Sequence, residues 1–144
     1  MSAAGTYVRL GPGSIAFDSA AGFLAALVLG PGAGALICSL GHLAAAAVTG
    51  FPLTLPFHLL IAVSMAGVGA LGGAVAVRTN LLAGAVALVL ANGVLVPALL
   101  SLVPNPMGRA LFVTLVLPLT LAATANAVVA VIVARVLKRS RLVS

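Results

Sequence analysis

Residues 57–77 read FHLLIAVSMAGVGALGGAVAV, twenty-one positions without a charge and with only His58 and Ser64 polar. About 20 apolar residues of helix cross the ~30 Å hydrocarbon core of a bilayer, because lipid cannot satisfy bare backbone amides and a helix satisfies its own. Nothing in the run alternates polar and apolar with period two, so a strand of a membrane barrel is a poor reading. The stretch predicts a membrane-spanning helix.

The sequence to either side repeats the pattern. Run 31–50 precedes it, behind the breaker Gly30-Pro31-Gly32, and run 17–30 comes before that, short for a full crossing. Runs 81–103 and 110–137 follow. The separators are turn chemistry: Phe51-Pro52 through Pro56, Arg78-Thr79-Asn80, and Pro104-Asn105-Pro106. With 63% hydrophobic residues, 6% charged residues and a mean hydropathy of +1.35, the chain has little surface to offer water. The expected fold is all-α: a polytopic membrane helix bundle of five spans forming a single transmembrane domain over residues 1–144. Residues 1–10 lack the basic start and apolar stretch of a signal peptide.

Several function classes fall away on composition. Asp18 is the one acid, so no carboxylate pair exists for acid–base hydrolysis, and no enzymatic activity is expected. Gly67 to Gly73 lies inside a span and has no lysine, so it is no phosphate-binding loop. Cys38 stands alone inside an apolar run and reads as a small core residue. Neither a metal nor a cofactor is expected. The net charge of +6 does not point to nucleic acid, since Arg135, Lys138, Arg139 and Arg141 form one cluster after the last span. Such a cluster marks the cytoplasmic side and meets anionic headgroups of the lipid bilayer.

That rule orients the whole chain. A cytoplasmic C-terminus puts Arg78 inside too and leaves Arg9 and Arg109 outside, five cations against two. Three irregular segments then share the outer face: 11–18, 50–56 and 104–109. The inner turns are minimal. Pro/Gly-rich, polar sequence collected on one side is what loops roofing a site require.

Polar groups inside the slab are costly, and they face a cavity or the bundle interior. His42, eight residues before Gly50, lies roughly 12 Å below the outer boundary at 1.5 Å per residue. It reads either as a pocket residue or as an interhelical hydrogen-bond partner of a carbonyl or of Ser39. His58 stands at the same face, as an interfacial residue or a ligand contact. Two histidines with no third ligand of the right type nearby make a weak case for zinc. Asp18 reads both as a helix N-cap and as a ligand group, and the two roles are compatible. Asn92 lies mid-span, and Pro97 should kink the outer half of its helix. Thr120 and Thr124 share a face, whereas Asn126 is about 200° round from Thr124 and reads as glue between helices. Thr114 and Pro118 lie in the outer half, better placed for a ligand. Gly30/Gly34, Gly69/Gly73 and Ala83/Ala87/Ala91 would permit close helix contact, but in so alanine-rich a chain such pairs arise by chance.

Several pieces follow one another with a telling order and spacing. They are Gly13-Ser14-Ile15-Ala16-Phe17-Asp18-Ser19, then Leu29-Gly30-Pro31-Gly32-Ala33-Gly34-Ala35, then Gly41-His42-Leu43. Gly50-Phe51-Pro52-Leu53-Thr54-Leu55-Pro56 and Phe57-His58-Leu59-Leu60 complete them. This series resembles the substrate-binding S components of energy-coupling factor (ECF) vitamin transporters, and the likeness covers most of the chain from residue 11 onward. The resemblance implies a helical vitamin-capture subunit that works with a T-type transmembrane subunit and ATPase subunits. It also implies a pocket beneath the loops that correspond here to 11–18, 50–56 and 104–109. Under it the expected substrate-binding residues are Asp18, His42, Phe51, His58, Asn92, Asn105 and Thr114. The family has six spans with both termini inside and meets its T subunit through the first. Here five runs are seen, the sequence begins at the position of the family's first loop, and the N-terminus is expected outside.

With no Trp and a single Tyr, Tyr7, the chain cannot build a pocket of stacked indoles. One acid, two histidines and several amides suit an uncharged or weakly basic heteroaromatic compound. The Gly-His-Leu and Gly-Phe-Pro-Leu-Thr-Leu-Pro pieces look most like members linked to cobalamin precursors such as α-ribazole. The competing readings are a non-transporting assembly or anchor subunit and a small secondary transporter.

Overall fold

A computed structural model describes residues 19–51, 54–102 and 106–140, and Asp18 and Asn105 lie outside them. The described chain is helical, with no strand among the described residues. Five helices follow in order: α1 (Ala20–Leu29), α2 (Pro31–Val48), α3 (Leu55–Arg78), α4 (Leu81–Ser101) and α5 (Pro106–Arg139). The last four are long and apolar enough to cross a bilayer. The chain is a multi-pass membrane protein. Leu36, Val63, Leu82, Val113 and Ile132 are exposed on the outside of the bundle, where a soluble protein would place charge.

Consecutive helices run antiparallel, and glycines set how closely they approach. A Cβ on Gly69 would fall on the carbonyl of Gly34, and one on Gly73 would lie 2.7 Å from Pro31 Cα, so α2 and α3 touch backbone to backbone. A Cβ on Gly34 would also stand 2.8 Å from Ala26 Cα, which welds α1 to the same seam. Gly84 continues the contact from α4 to Ala76 of α3. The pairs Gly30/Gly34 and Gly69/Gly73 are therefore interface residues and not accidents of composition. Without a hydrophobic drive between helices in lipid, this close approach is what generates van der Waals and carbonyl contact. Larger side chains close the middle of the core, with Phe23, Leu88 and Met65 buried there.

Each turn has a local cause. Gly30 adopts φ 91° between α1 and α2, a conformation that suits glycine, and Pro31 opens α2 at the position where its missing N–H costs nothing. Asn80 caps α4 by accepting from the Ala83 N–H at 2.9 Å. In α4 a π-helical turn at Ala91–Leu95 precedes Pro97, and helix continues from there to Ser101.

The helices differ in reach. The 10 residues of α1 extend about 15 Å, while the 18 of α2 extend about 27 Å. Gly22 packs on Cys38 and Ala26 on Gly34, so α1 flanks the Gly30 half of α2, and His42 stands level with or beyond its start. Alternation gathers the start of α1, the α2–α3 loop and the α4–α5 connection at one end. The Gly30 turn, the Thr79-Asn80 turn and the exposed Arg78, Arg135, Lys138 and Arg139 share the other.

Candidate functional site

At the loop end, α2 finishes in a tight cap. The Phe51 N–H donates to the Ala46 carbonyl at 2.9 Å and the Gly50 N–H to the Ala47 carbonyl at 3.2 Å, with Gly50 at φ 75°. This paired pattern is the Schellman motif, which needs a left-handed residue where Gly50 stands. The chain does not relax afterwards. Phe51 at φ 50° and Thr54 at φ 80° are both left-handed, a region uncommon for any side chain and rarest for a β-branched one. Strain of this kind persists where surrounding structure imposes it, and it concentrates at functional sites.

The loop delivers Phe51 to the first turn of α3. Its ring meets His58 edge-on, with centroids 5.6 Å apart and planes at 67°. His58 is the fourth residue of α3, with only 2% of its surface exposed. Its Nδ1 lies 3.2 Å from Nε2 of His42, with ring centroids 5.3 Å apart and planes tilted by 30°. One nitrogen of this pair carries the hydrogen and the other accepts it. His42 is half-buried, six residues before the end of α2 and so about 9 Å in from it. It takes neither Ser39 nor a carbonyl as partner, but the other histidine.

The remaining sequence candidates separate. Asp18 and Asn105 fall outside the described residues. Asn92 is buried within the π-helical turn of α4 and shares no hydrogen bond with either histidine. Beside it, a Cβ on Gly93 would stand 2.7 Å from Thr120 Cα, so α4 and α5 close on each other there. Thr114 is exposed and donates to the Ala110 carbonyl of its own helix at 2.8 Å. Nine residues separate it from the fully buried Ala123, which is about 180° round the helix, so it faces away from the bundle interior. Thr120 and Thr124 likewise donate to carbonyls one turn back, at 2.6 and 2.7 Å. Asn126 is 1% exposed, and among the described residues its Oδ1 accepts no hydrogen bond, so no interhelical glue through that oxygen is seen there.

Sequence reasoning therefore named all three residues that meet, but missed the backbone that brings them together. The signal was present in Gly50 alone, since a glycine after a helical run marks a C-cap. The left-handed Phe51 and Thr54 carry no such mark. Among the described residues no group of three His, Cys, Asp or Glu side chains is close enough to enclose a metal ion. What remains is a two-imidazole, one-phenyl cluster near one end of the bundle, able to donate, accept and stack. No protein-family profile, curated protein or solved structure matches this chain.

Proposed function

We infer that the chain captures an uncharged or weakly basic heteroaromatic solute, of the vitamin or cofactor-precursor class, from the outer face of the cell membrane. In this reading it is the S component of an ECF-type importer, passing its cargo to a T-type transmembrane subunit driven by ATPase subunits. The observation that carries the reading is the meeting of His42, His58 and Phe51 at the loop end of a largely apolar bundle. Imidazoles offer such a solute one donor and one acceptor, and a phenyl ring offers it a face. The exposed Arg78, Arg135, Lys138 and Arg139 at the opposite end support a cytoplasmic C-terminus and an outward site. The sequence holds no nucleotide-binding loop, so in this reading the energy comes from the ATPase partner.

Purified protein tests the reading directly. A solute that binds the folded state raises the unfolding midpoint, with a stabilisation that grows as the logarithm of one plus its concentration over Kd. A benzimidazole nucleoside such as α-ribazole, with other heteroaromatic vitamins alongside, is expected to do so. His42→Ala should weaken that capture by about 1–3 kcal/mol, the cost of a lost hydrogen bond to ligand. Stabilisation by none of these solutes would favour an assembly or anchor subunit. Concentrative uptake by the chain alone in liposomes, driven by a pH gradient and lost in His42→Ala, would favour a secondary transporter.

A further inference from the structure

We propose that His42 and His58 form a two-nitrogen base for a borderline divalent transition-metal ion of the nickel, copper or zinc kind. The spacing is the first reason. Two nitrogens 3.2 Å apart are separated by the edge of a coordination polyhedron. An ion ~2.05 Å from each would see them at an angle of about 103°, between the octahedral and tetrahedral values. Imidazole is also the ligand type such ions prefer, whereas magnesium and calcium take oxygen.

The framework holds the two rings within reach of one ion. The two histidines come from neighbouring helices whose backbones are in contact at Gly34 with Gly69 and at Pro31 with Gly73, so their separation is set by the bundle. Phe51 braces the His58 ring from the loop. Loading needs two small changes. The hydrogen now shared between the rings moves to the other nitrogen of its own imidazole, giving two lone pairs, and each ring turns about χ2, a broad torsion for histidine. The pair lies near the end of the bundle and His42 is half-buried, which leaves the ion a short route from water.

The protein supplies only part of the coordination. Among the described residues there is no acid, and no third His or Cys stands close enough to join the pair. The other positions on the ion fall to water or to a nitrogen or oxygen donor of a solute. The site uses the same side chains as the capture proposed above but does not depend on it, because the metal is tested with no solute present.

The test uses tag-free protein in detergent, titrated with Ni2+ or Zn2+ and, in parallel, with Mg2+. Ni2+ and Zn2+ are expected to raise the unfolding midpoint by a few degrees, the shift growing with the logarithm of metal concentration above Kd, and Mg2+ to leave it unmoved. His42→Ala, at the half-buried position, should remove the shift while keeping the fold. Cu2+-loaded protein should give an electron paramagnetic resonance spectrum split by two equivalent-type nitrogens, and His58→Gln should lose one of them. No shift with either metal at ~10 mM, or the same shift in His42→Ala as in the parent, would overturn the site. Solute capture measured in excess chelator keeps the two ideas apart: capture that survives chelation leaves the solute reading standing whatever the metal result.

Discussion

The two ends of this bundle are built on opposite plans. At the Gly30 end, glycines bring α1 to α4 into backbone contact, the turns are minimal, and the charged side chains are cations. At the loop end α1 has stopped, the connection between α2 and α3 carries left-handed backbone at Gly50, Phe51 and Thr54, and two imidazoles face each other. A rigid base frees the opposite end to hold residues that contribute little to stability, because helix register is already settled below them. Strain and polarity can then concentrate where they serve recognition.

The contrast breaks most readily at the base. Gly69→Ala puts a methyl on the Gly34 carbonyl, and the helices must separate along the seam. Overpacking of this kind is expected to cost about 3 kcal/mol in reversible unfolding from mixed micelles. Gly67, on the same helix, has nothing within 4 Å of the place a methyl would take, so Gly67→Ala should be neutral or stabilise by a few tenths to ~1 kcal/mol. Equal effects from the two substitutions would mean the seam does not hold the bundle together.

A smaller effect of opposite sign is expected at the loop end. Thr54 holds φ 80°, where a β-branched residue is strained and glycine is not. Thr54→Gly should therefore stabilise the fold by about 1 kcal/mol, less whatever the freer unfolded chain gains. If the strain serves recognition, the same variant binds solute more weakly. A variant that is both less stable and an unchanged binder would remove strain from the account of this loop.

The smallest effect sharpens the boundary of the site. Thr114→Val deletes a hydroxyl that bonds only within its own turn, on the face of α5 turned from the interior. Both stability and solute affinity should change by less than about 0.5 kcal/mol. A large loss of capture would bring the outer face of α5 into the site.

How much was legible beforehand depends on whether a feature is local. Run 57–77 became the helix Leu55–Arg78, because hydropathy and turn chemistry act over neighbouring residues. The shortness of the first run was legible for the same reason. His42, His58 and Phe51 were legible as residues out of place in an apolar chain, since burying a polar group is costly wherever it occurs. Which face each residue took was not. These helices are apolar all round, so there was no polar stripe to say that Thr114 turns outward.

The sequence by itself determined a multi-pass helical bundle, its turns, and the small set of polar residues from which any site must be drawn. Only the tertiary structure decided that His42 bonds His58 across sixteen residues of chain, that Gly34 and Gly69 are one contact, and that Phe51 meets the pair through a left-handed loop. The physical reason is that lipid solvates every apolar face equally. Hydropathy therefore places a helix in the membrane without rotating it, and rotation is set by backbone contacts between glycines far apart in the chain.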